Sequence, residues 1–136
     1  MLGQKTSAET YVTMKGDTPI TIYLKDYKAP DYRVEKVQLT FNLKNNGTQV
    51  FSRLTISKNH HGRNPLVLDG KNLVLNALSL DDKSLREGTD YQLTEDALSI
   101  HNLPDRFELM IETQINPADN TSLEGLYKSN SIYCTQ

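Results

Sequence analysis

The stretch Arg106-Phe107-Glu108-Leu109-Met110-Ile111-Glu112-Thr113-Gln114-Ile115 has the period of a β-strand that is buried on one face. Its apolar phase holds Phe107, Leu109, Ile111 and Ile115, whereas Glu108, Glu112 and Gln114 fall on the opposite phase. Successive side chains of a strand point to opposite faces, so this alternation predicts that one face lies in a core.

A second alternating stretch predicts a hairpin. Residues 36–43 place four apolar side chains on one face: Val37, Leu39, Phe41 and Leu43. Asn45-Asn46-Gly47 follows, with residues that tolerate positive φ, and the next run has Val50, Leu54 and Ile56 on one phase. The two strands are therefore expected to pair antiparallel. We expect the four apolar residues of the first strand to face the core together with Phe107, Leu109 and Ile111.

The rest of the chain shows β signals separated by short turns. Further strands are predicted at Thr18–Leu24, Leu66–Leu68, Leu73–Leu80, Tyr91–Leu93 and Ala97–Ile100. Lys25–Tyr32 is expected to be an extended connector, because Pro30 disfavours a helical residue before it. Residues 1–17 are polar and aperiodic, which predicts a flexible lead-in. No helical stripe spans eleven residues, so residues 18–136 are predicted to form a single all-β domain, an antiparallel β-sandwich.

Composition excludes several classes of protein. The chain carries 15 basic and 17 acidic residues, a net charge of −2, which argues against nucleic acid as a partner. Cys134 is its single cysteine, so no disulfide can form within the chain and a reducing compartment is favoured. No signal-peptide core and no run of about twenty apolar residues is present. We therefore expect a cytoplasmic protein with no membrane partner.

Motifs for catalysis or metal binding are absent from the chain. His60 and His61 are adjacent, so on an extended chain they point to opposite sides, and His101 stands alone. No His-Glu-x-x-His pattern occurs, so no metal site is predicted in this chain. Cys134 has no spacing that indicates a nucleophile and is expected to be a buried structural thiol. Asn120-Thr121-Ser122 is a formal glycosylation acceptor that we interpret as a turn.

Several ordered motifs resemble one enzyme family. The stretches that carry the resemblance are Asp26–Tyr32, the Leu-Thr-Phe-x-Leu pattern of Leu39–Leu43, Leu66–Leu73, Asn102–Phe107, Asn116–Tyr127 and Cys134-Thr135-Gln136. Together they are similar to the N-terminal domain of bacterial aminopeptidase N, a zinc-dependent enzyme of the gluzincin class. The similarity runs from about Lys25 to Gln136.

This resemblance implies a fold and a function. The domain would be an all-β, saddle-like body packed on the catalytic domain of the same polypeptide, and the chain would end where that catalytic domain begins. The parent enzyme would remove N-terminal amino acids from peptides with zinc as cofactor. All zinc ligands and catalytic residues would lie outside this chain, which would be inactive alone.

Two expectations about particular residues follow from the resemblance. Gln136 is the one residue carried over to the substrate cleft, where it would line the pocket for the first substrate side chain; as the last residue of this chain, its backbone is expected to fray. Tyr127, Ile132 and Tyr133 are expected to form an apolar patch where the catalytic domain docks.

Two other classes of function stay open at this point. A free-standing β-sandwich binding module, for example for carbohydrate, would use exposed aromatic residues, for which Tyr23, Tyr27, Tyr32 and Tyr91 are the candidates. A purely structural interaction domain without a cleft role is the other alternative.

Overall fold

The computed structural model describes residues 23–44, 47–59 and 64–136. A single 3-10 turn spans Leu24–Asp26. The strands are β1 (Tyr32–Asn42), β2 (Thr48–Lys58), β3 (Leu66–Asp69), β4 (Val74–Leu80), β5 (Lys83–Ser84), β6 (Tyr91–Leu93), β7 (Ala97–Ile100), β8 (Arg106–Ile115), β9 (Leu126–Ser129) and β10 (Ile132–Thr135). Of the described residues, those up to Pro30 belong to one unit and those from Asp31 onwards to a second.

The strands of residues 31–136 form three antiparallel sheets. The largest has the order β1-β2-β8-β4-β5, a three-stranded sheet has the order β3-β7-β6, and β9 pairs only with β10 among the described strands. The prediction of an all-β, antiparallel, sandwich-like fold is therefore confirmed.

The core lies between the five-stranded and the three-stranded sheets. Its buried members come from both sheets and from the segment before β8: Ile56, Leu66, Leu78, Leu98, Ile100, Leu103, Phe107 and Leu109. Leu109 and Ile56 are fully buried. Each such side chain stabilises the fold by about 1.5–3 kcal/mol relative to an exposed position.

Strand β8 occupies the centre of the large sheet because β2 and β4 pair on its two sides. Leu109 lies opposite Leu54 of β2 and Leu80 of β4, and Phe107 lies opposite Ile56. Directly opposed residues share a face of the sheet. The prediction that Phe107 and Leu109 face the core is confirmed, and Ile111 packs against the core while partly exposed.

The expectation that β1 contributes to the core is wrong for this chain. Val37 is 54% exposed, Leu39 52%, Phe41 46% and Leu43 48%. Their phase is the predicted one, because Val37 pairs with Leu54 on the face that holds Leu109. β1, however, is the edge strand of the large sheet, and the buried core residues that this sheet contributes come from β2, β4 and β8. Alternation determines which face a side chain occupies, whereas burial requires a second layer over that face.

Several element boundaries differ from the sequence prediction. β1 begins at Tyr32, inside the predicted connector, and Leu24 begins the 3-10 turn instead of ending a strand. β5 was not predicted; its hairpin with β4 turns at Asp81 and Asp82, both with positive φ. Residues 1–22, which include the lead-in and most of the first predicted strand, lie outside the described residues, as do Asn45 and Asn46. The predicted domain boundary at residue 18 stays a prediction.

Gly47 ends the connection between β1 and β2 in a conformation that requires glycine. Its φ is +94°, and a Cβ at this position would lie 2.9 Å from Nε2 of Gln114. The backbone angle therefore strains any larger residue here, and the end of the Gln114 side chain would also have to shift.

Within the described parts of the chain, no helix is long and apolar enough to cross a membrane.

Candidate functional site: the carboxyl-terminal hairpin

The carboxyl-terminal hairpin consists of β9 and β10 joined by Asn130 and Ser131. Ser129 pairs with Ile132 and Tyr127 with Cys134. Asn130 has φ of 55°, a left-handed conformation that asparagine tolerates better than most residues. The run Ile132–Thr135 is apolar and β-prone, which predicts the second strand of this hairpin. Asn130 is the residue type that favours a turn before this strand, whereas Leu126–Ser129 carries no strand period.

Gln136 is held at the open end of this hairpin. Its N–H donates to the carbonyl oxygen of Gly125 at 3.2 Å, and the N–H of Gly125 donates to the carbonyl oxygen of Gln136 at 3.0 Å. The expectation that the backbone of Gln136 frays is therefore wrong, because the ladder extends one residue past β10. Its side chain is exposed.

The two faces of the hairpin carry different residues. Because side chains alternate along each strand and opposed residues share a face, Gln136 lies on the face of Cys134, Tyr127 and Ile132. Tyr133 and Lys128 lie on the other face, where Nζ of Lys128 is 5.4 Å from the centroid of the Tyr133 ring. Gln136, the residue expected in the cleft, thus shares a face with Tyr127 and Ile132, two of the three residues expected to form a docking patch.

Exposure differs among those three patch residues. Ile132 is 68% exposed, whereas Tyr127 and Tyr133 are partly buried. None of them belongs to the buried core cluster. Ile132 is therefore the strongest apolar contact that the hairpin offers to a partner.

Asn120 fixes the outer edge of β9. Its side-chain amide donates to the carbonyl oxygens of Glu124 at 2.8 Å and Leu126 at 3.0 Å. Its side-chain oxygen accepts hydrogen bonds from the backbone N–H and the hydroxyl of Ser122. These four bonds confirm the interpretation of Asn120-Thr121-Ser122 as turn chemistry. Lys128 N–H also donates to the carbonyl oxygen of Pro117 at 2.8 Å.

Tyr133 connects the hairpin to the large sheet. Its hydroxyl donates to the carbonyl oxygen of Lys44 at 3.1 Å, just beyond the end of β1. The hairpin, and with it Gln136, is therefore anchored beside the exposed end of β1.

The titratable residues singled out in the sequence do not form a reactive group. His101 is exposed, and His60 and His61 lie outside the described residues. Cys134 is half-buried, so the expectation of a buried thiol is wrong; its strand lies in a two-stranded sheet without a core position. Among residues 23–44, 47–59 and 64–136, no three His, Cys, Asp or Glu side chains are grouped to hold a metal ion.

An ion-pair cluster lies away from the hairpin, at Glu35. A hydrogen bond from Ser57, together with hydrogen bonding and ion pairing to Arg106, lowers the pKa of the Glu35 carboxyl. Arg106 reaches Oε2 of Glu35 through Nε and a terminal nitrogen, both at 3.1 Å. Burial, aided by the charge of Asp31, raises the pKa of Tyr32. Tyr32 begins β1 and Glu35 lies at its register shift between Val34 and Lys36, and both side chains connect β1 to neighbouring segments.

The candidate aromatic residues for a binding module are divided between the two units. Tyr32 packs edge-on against Phe107, with ring centroids 6.3 Å apart, and Tyr91 packs against the core. Tyr23 and Tyr27 are exposed and belong to the separate unit that ends at Pro30.

Comparison with known proteins gives a consistent group of relatives. The chain is 40% identical to aminopeptidase N of Escherichia coli over 118 residues. The aligned region covers 87% of this chain and 13% of that protein. It is 35% identical over 123 residues to aminopeptidase N of Caulobacter vibrioides, covering 90% and 14%, respectively. It is 33% identical over 117 residues to aminopeptidase N of Haemophilus influenzae, covering 84% and 13%. The chain is homologous to one segment of aminopeptidase N.

Solved structures agree with this assignment. Aminopeptidase A of Legionella pneumophila, solved in complex with aspartic acid, matches 79% of this chain with a TM-score of 0.69 and 37% identity, over 13% of its own length. Yeast LTA4 hydrolase matches 71% of the chain with a TM-score of 0.56 at 20% identity, over 16% of its own length, and shows a shared fold. No family model matches the chain. The chain spans about one-seventh of the curated aminopeptidase N relatives.

Proposed function

We propose that this chain is the N-terminal, non-catalytic domain of a zinc metalloaminopeptidase that removes N-terminal amino acids from peptides. The observation that carries the proposal is the similarity of 84–90% of the chain to about one-seventh of aminopeptidase N from three bacteria. The aminopeptidase A similarity at 37% identity supports the same activity class. In this proposal the parent protein is cytoplasmic, and the domain's partners are the catalytic domain of the same polypeptide and the peptide substrate.

In this proposal the zinc ligands lie in the rest of the polypeptide. Among the residues that the structure describes, no group of His, Cys, Asp or Glu side chains fits a zinc site. When bound elsewhere in the parent enzyme, zinc would polarise the scissile carbonyl and activate water. The role left for this domain is to shape one edge of the cleft.

Gln136 is the residue that we propose lines the pocket for the first substrate side chain. Its backbone is fixed by the two hydrogen bonds to Gly125, so its exposed amide projects from an ordered ribbon. A neutral amide both donates and accepts hydrogen bonds without a charge preference. This chemistry suits an enzyme that accepts varied N-terminal residues.

Two measurements test the proposed function. The full-length protein, loaded with zinc, should release N-terminal amino acids from peptides, whereas the 136-residue chain should not. In the full-length protein, Gln136→Ala should change the ratio of kcat/KM between substrates with different N-terminal residues by about 2- to 10-fold, the value of one hydrogen bond, with zinc content unchanged.

Thr135→Ala in the full-length protein is the matched control, because its side chain lies on the opposite face of the ribbon from Gln136. An unchanged substrate ranking in Gln136→Ala would remove Gln136 from the pocket. Absence of any aminopeptidase activity in the zinc-loaded, full-length protein would refute the proposed function itself.

A further inference from the structure

We propose that the outer face of the large sheet, which points away from the core, binds an arginine side chain of a peptide. The site is a groove of about 450 Å³ that we call the outer groove. The inference rests on the proposed function at one point, because that function makes peptides the ligands that the parent protein meets. Six of the lining side chains give the groove its chemistry: Gln38, Thr40, Phe51, Arg53, Met110 and Glu112.

Two apolar residues form the floor of the outer groove. Phe51 of β2 follows the buried Val50, and Met110 of β8 follows the fully buried Leu109, so both point to the outer face. The two are diagonal neighbours on adjacent strands, and Phe51 is 42% exposed. Neither side chain contributes to the core, so the two together are suited to contact with a ligand.

The outer groove also contains a carboxylate without a cation. Glu112 lies directly opposite Phe51, so the carboxylate and the ring share one face. Among the described residues, Glu112 has no ion-pair or hydrogen-bond partner. Arg53, the one cation among the described lining residues, is already engaged. Its Nη1 is 3.6 Å from Oε1 of Glu108, and its Nη2 donates to Sδ of Met110 at 3.7 Å.

An unpaired carboxylate beside an aromatic ring selects a guanidinium as the ligand group. A carboxylate accepts two parallel hydrogen bonds from a guanidinium, and the same planar cation stacks on an aromatic face. Directly opposed residues have Cβ atoms about 4.5–5.5 Å apart, so one guanidinium can contact both Glu112 and Phe51. A lysine ammonium would meet the carboxylate as a point charge and would lose the stacking.

The surroundings of this pair suit a peptide backbone. The groove extends over four adjacent strands, from Thr40 of β1 to Ser79 of β4, which corresponds to about 14 Å. An extended peptide of about four residues has this length. Gln38, Thr40 and Ser79 carry amide and hydroxyl groups that donate and accept hydrogen bonds, as the peptide groups of such a ligand require.

Methyl NMR of the full-length protein tests the site. With isotope-labelled methionine methyl groups, the Met110 signal, assigned through Met110→Leu, should shift saturably on addition of N-acetyl-arginine amide, with a Kd of about 1–10 mM. This probe has no free α-amine, so it lacks the group that defines an aminopeptidase substrate. An unchanged Met110 signal at about 50 mM probe would overturn the proposal. The signal would also stay unchanged if another part of the polypeptide covered the groove.

Two substitutions separate the carboxylate from the ring. Glu112→Gln keeps the size of the side chain and removes its charge, so it should weaken probe binding at least about 5-fold. Phe51→Leu keeps an apolar side chain and removes the aromatic face, which should weaken binding about 2- to 5-fold. The signals of the other methionines report whether each variant is folded.

The matched control is Glu95→Gln, which removes the same charge from an exposed turn before β7. It should change the Kd of the probe by less than about 1.5-fold, because salt screens a distant surface charge. Equal effects of the two glutamate substitutions would mean nonspecific attraction and would overturn the proposal.

Related probes test the class of ligand. N-acetyl-citrulline amide has a similar shape without the charge and should bind at least about 10-fold more weakly than the arginine probe. Tighter binding of N-acetyl-lysine amide would overturn the assignment to arginine. Acetyl-Ala-Arg-Ala-amide should bind at least as tightly as methylguanidine. The reverse order would show that a small cation fits the groove better than a peptide, and it would overturn the proposal.

The proposed function is measured separately, as release of N-terminal amino acids by the same zinc-loaded, full-length protein. Hydrolysis without a response of the Met110 signal to the probe would refute the outer groove as a site and leave the proposed function standing. A saturable response without hydrolysis would support the site and refute the proposed function.

Discussion

The covered half of the large sheet and its β1 edge have the same sequence pattern but different environments. Phe107 on β8 is 3% exposed, whereas Phe41 on β1 is 46% exposed, although both lie on the same face. The difference comes from the three-stranded sheet, whose Leu66, Leu98 and Ile100 join the cluster around Phe107. The alternation of a strand therefore predicts which face a side chain lies on. Whether that side chain is buried depends on the topology, which places a second sheet over one part of that face and not over another.

The largest loss of stability is expected from a substitution in the covered half of the large sheet. Phe107→Ala should lower the free energy of unfolding of the 136-residue chain by about 3–5 kcal/mol, because it leaves a cavity in a packed core. Denaturant titration measures the change, with Val67→Ala as an exposed control. A loss below about 1 kcal/mol would show that the core is not packed around Phe107.

The turn that leads into β2 gives the next largest effect. Gly47→Ala combines a left-handed backbone with a Cβ contact at 2.9 Å from Gln114, whereas Gly88→Ala has φ of +76° with nothing within 4 Å of the new Cβ. The backbone term alone costs about 1–2 kcal/mol. We therefore expect Gly88→Ala to lose about that amount in denaturant titration, and Gly47→Ala to lose more. Equal losses would mean that the Gln114 side chain simply moves aside.

A smaller effect is expected at the β1 edge. Phe41→Ala should destabilise the 136-residue chain by no more than about 1 kcal/mol, because the ring is already half in water. Phe41→Ala and Phe107→Ala should be measured under the same conditions, because the difference between their losses in free energy of unfolding tests the comparison most directly. A loss of about 3 kcal/mol or more would mean that β1 is covered within this chain.

The smallest effect concerns pH. Because Ser57 and Arg106 lower the pKa of Glu35 in the folded state, the stability it contributes is present above the ordinary glutamate pKa and is lost as pH falls through the lowered value. Glu35→Gln should flatten the dependence of the unfolding midpoint on pH across this acidic window. Salt should weaken the wild-type dependence, since the group is at the surface. An unaltered pH profile in the variant would show that the ion pairs are not formed in solution.

Much of the fold was predictable because local patterns and global packing agree in the middle of the chain. β6, β7 and β8 have the predicted boundaries, and the β1–β2 hairpin pairs as expected. The β5 strand and the first half of the carboxyl-terminal hairpin were missed. β5 is only two residues long, and the first half of that hairpin, Leu126–Ser129, includes the polar Lys128 and Ser129, so neither shows a period.

The candidate site was less predictable than the fold. Alternation could not reveal that β1 lacks a covering layer, because coverage depends on strands distant in sequence. The two backbone hydrogen bonds that order Gln136 involve Gly125, a partner that residue type does not specify. The role of Gln136 in substrate specificity came from the resemblance alone, and it stays a prediction until Gln136→Ala is measured.

The central position of β8 has a consequence for the order in which the domain forms during synthesis. β8 begins roughly 50 residues after β2 ends, yet it supplies the pairing for both β2 and β4. At about 5–20 residues per second, the ribosome leaves the first hairpin without its inner neighbour for roughly 2–10 s. During that interval the edge of β2 that later pairs with β8 is open, so the nascent chain is vulnerable to intermolecular strand pairing. Slowing translation between residues 58 and 106 should therefore lower the soluble yield.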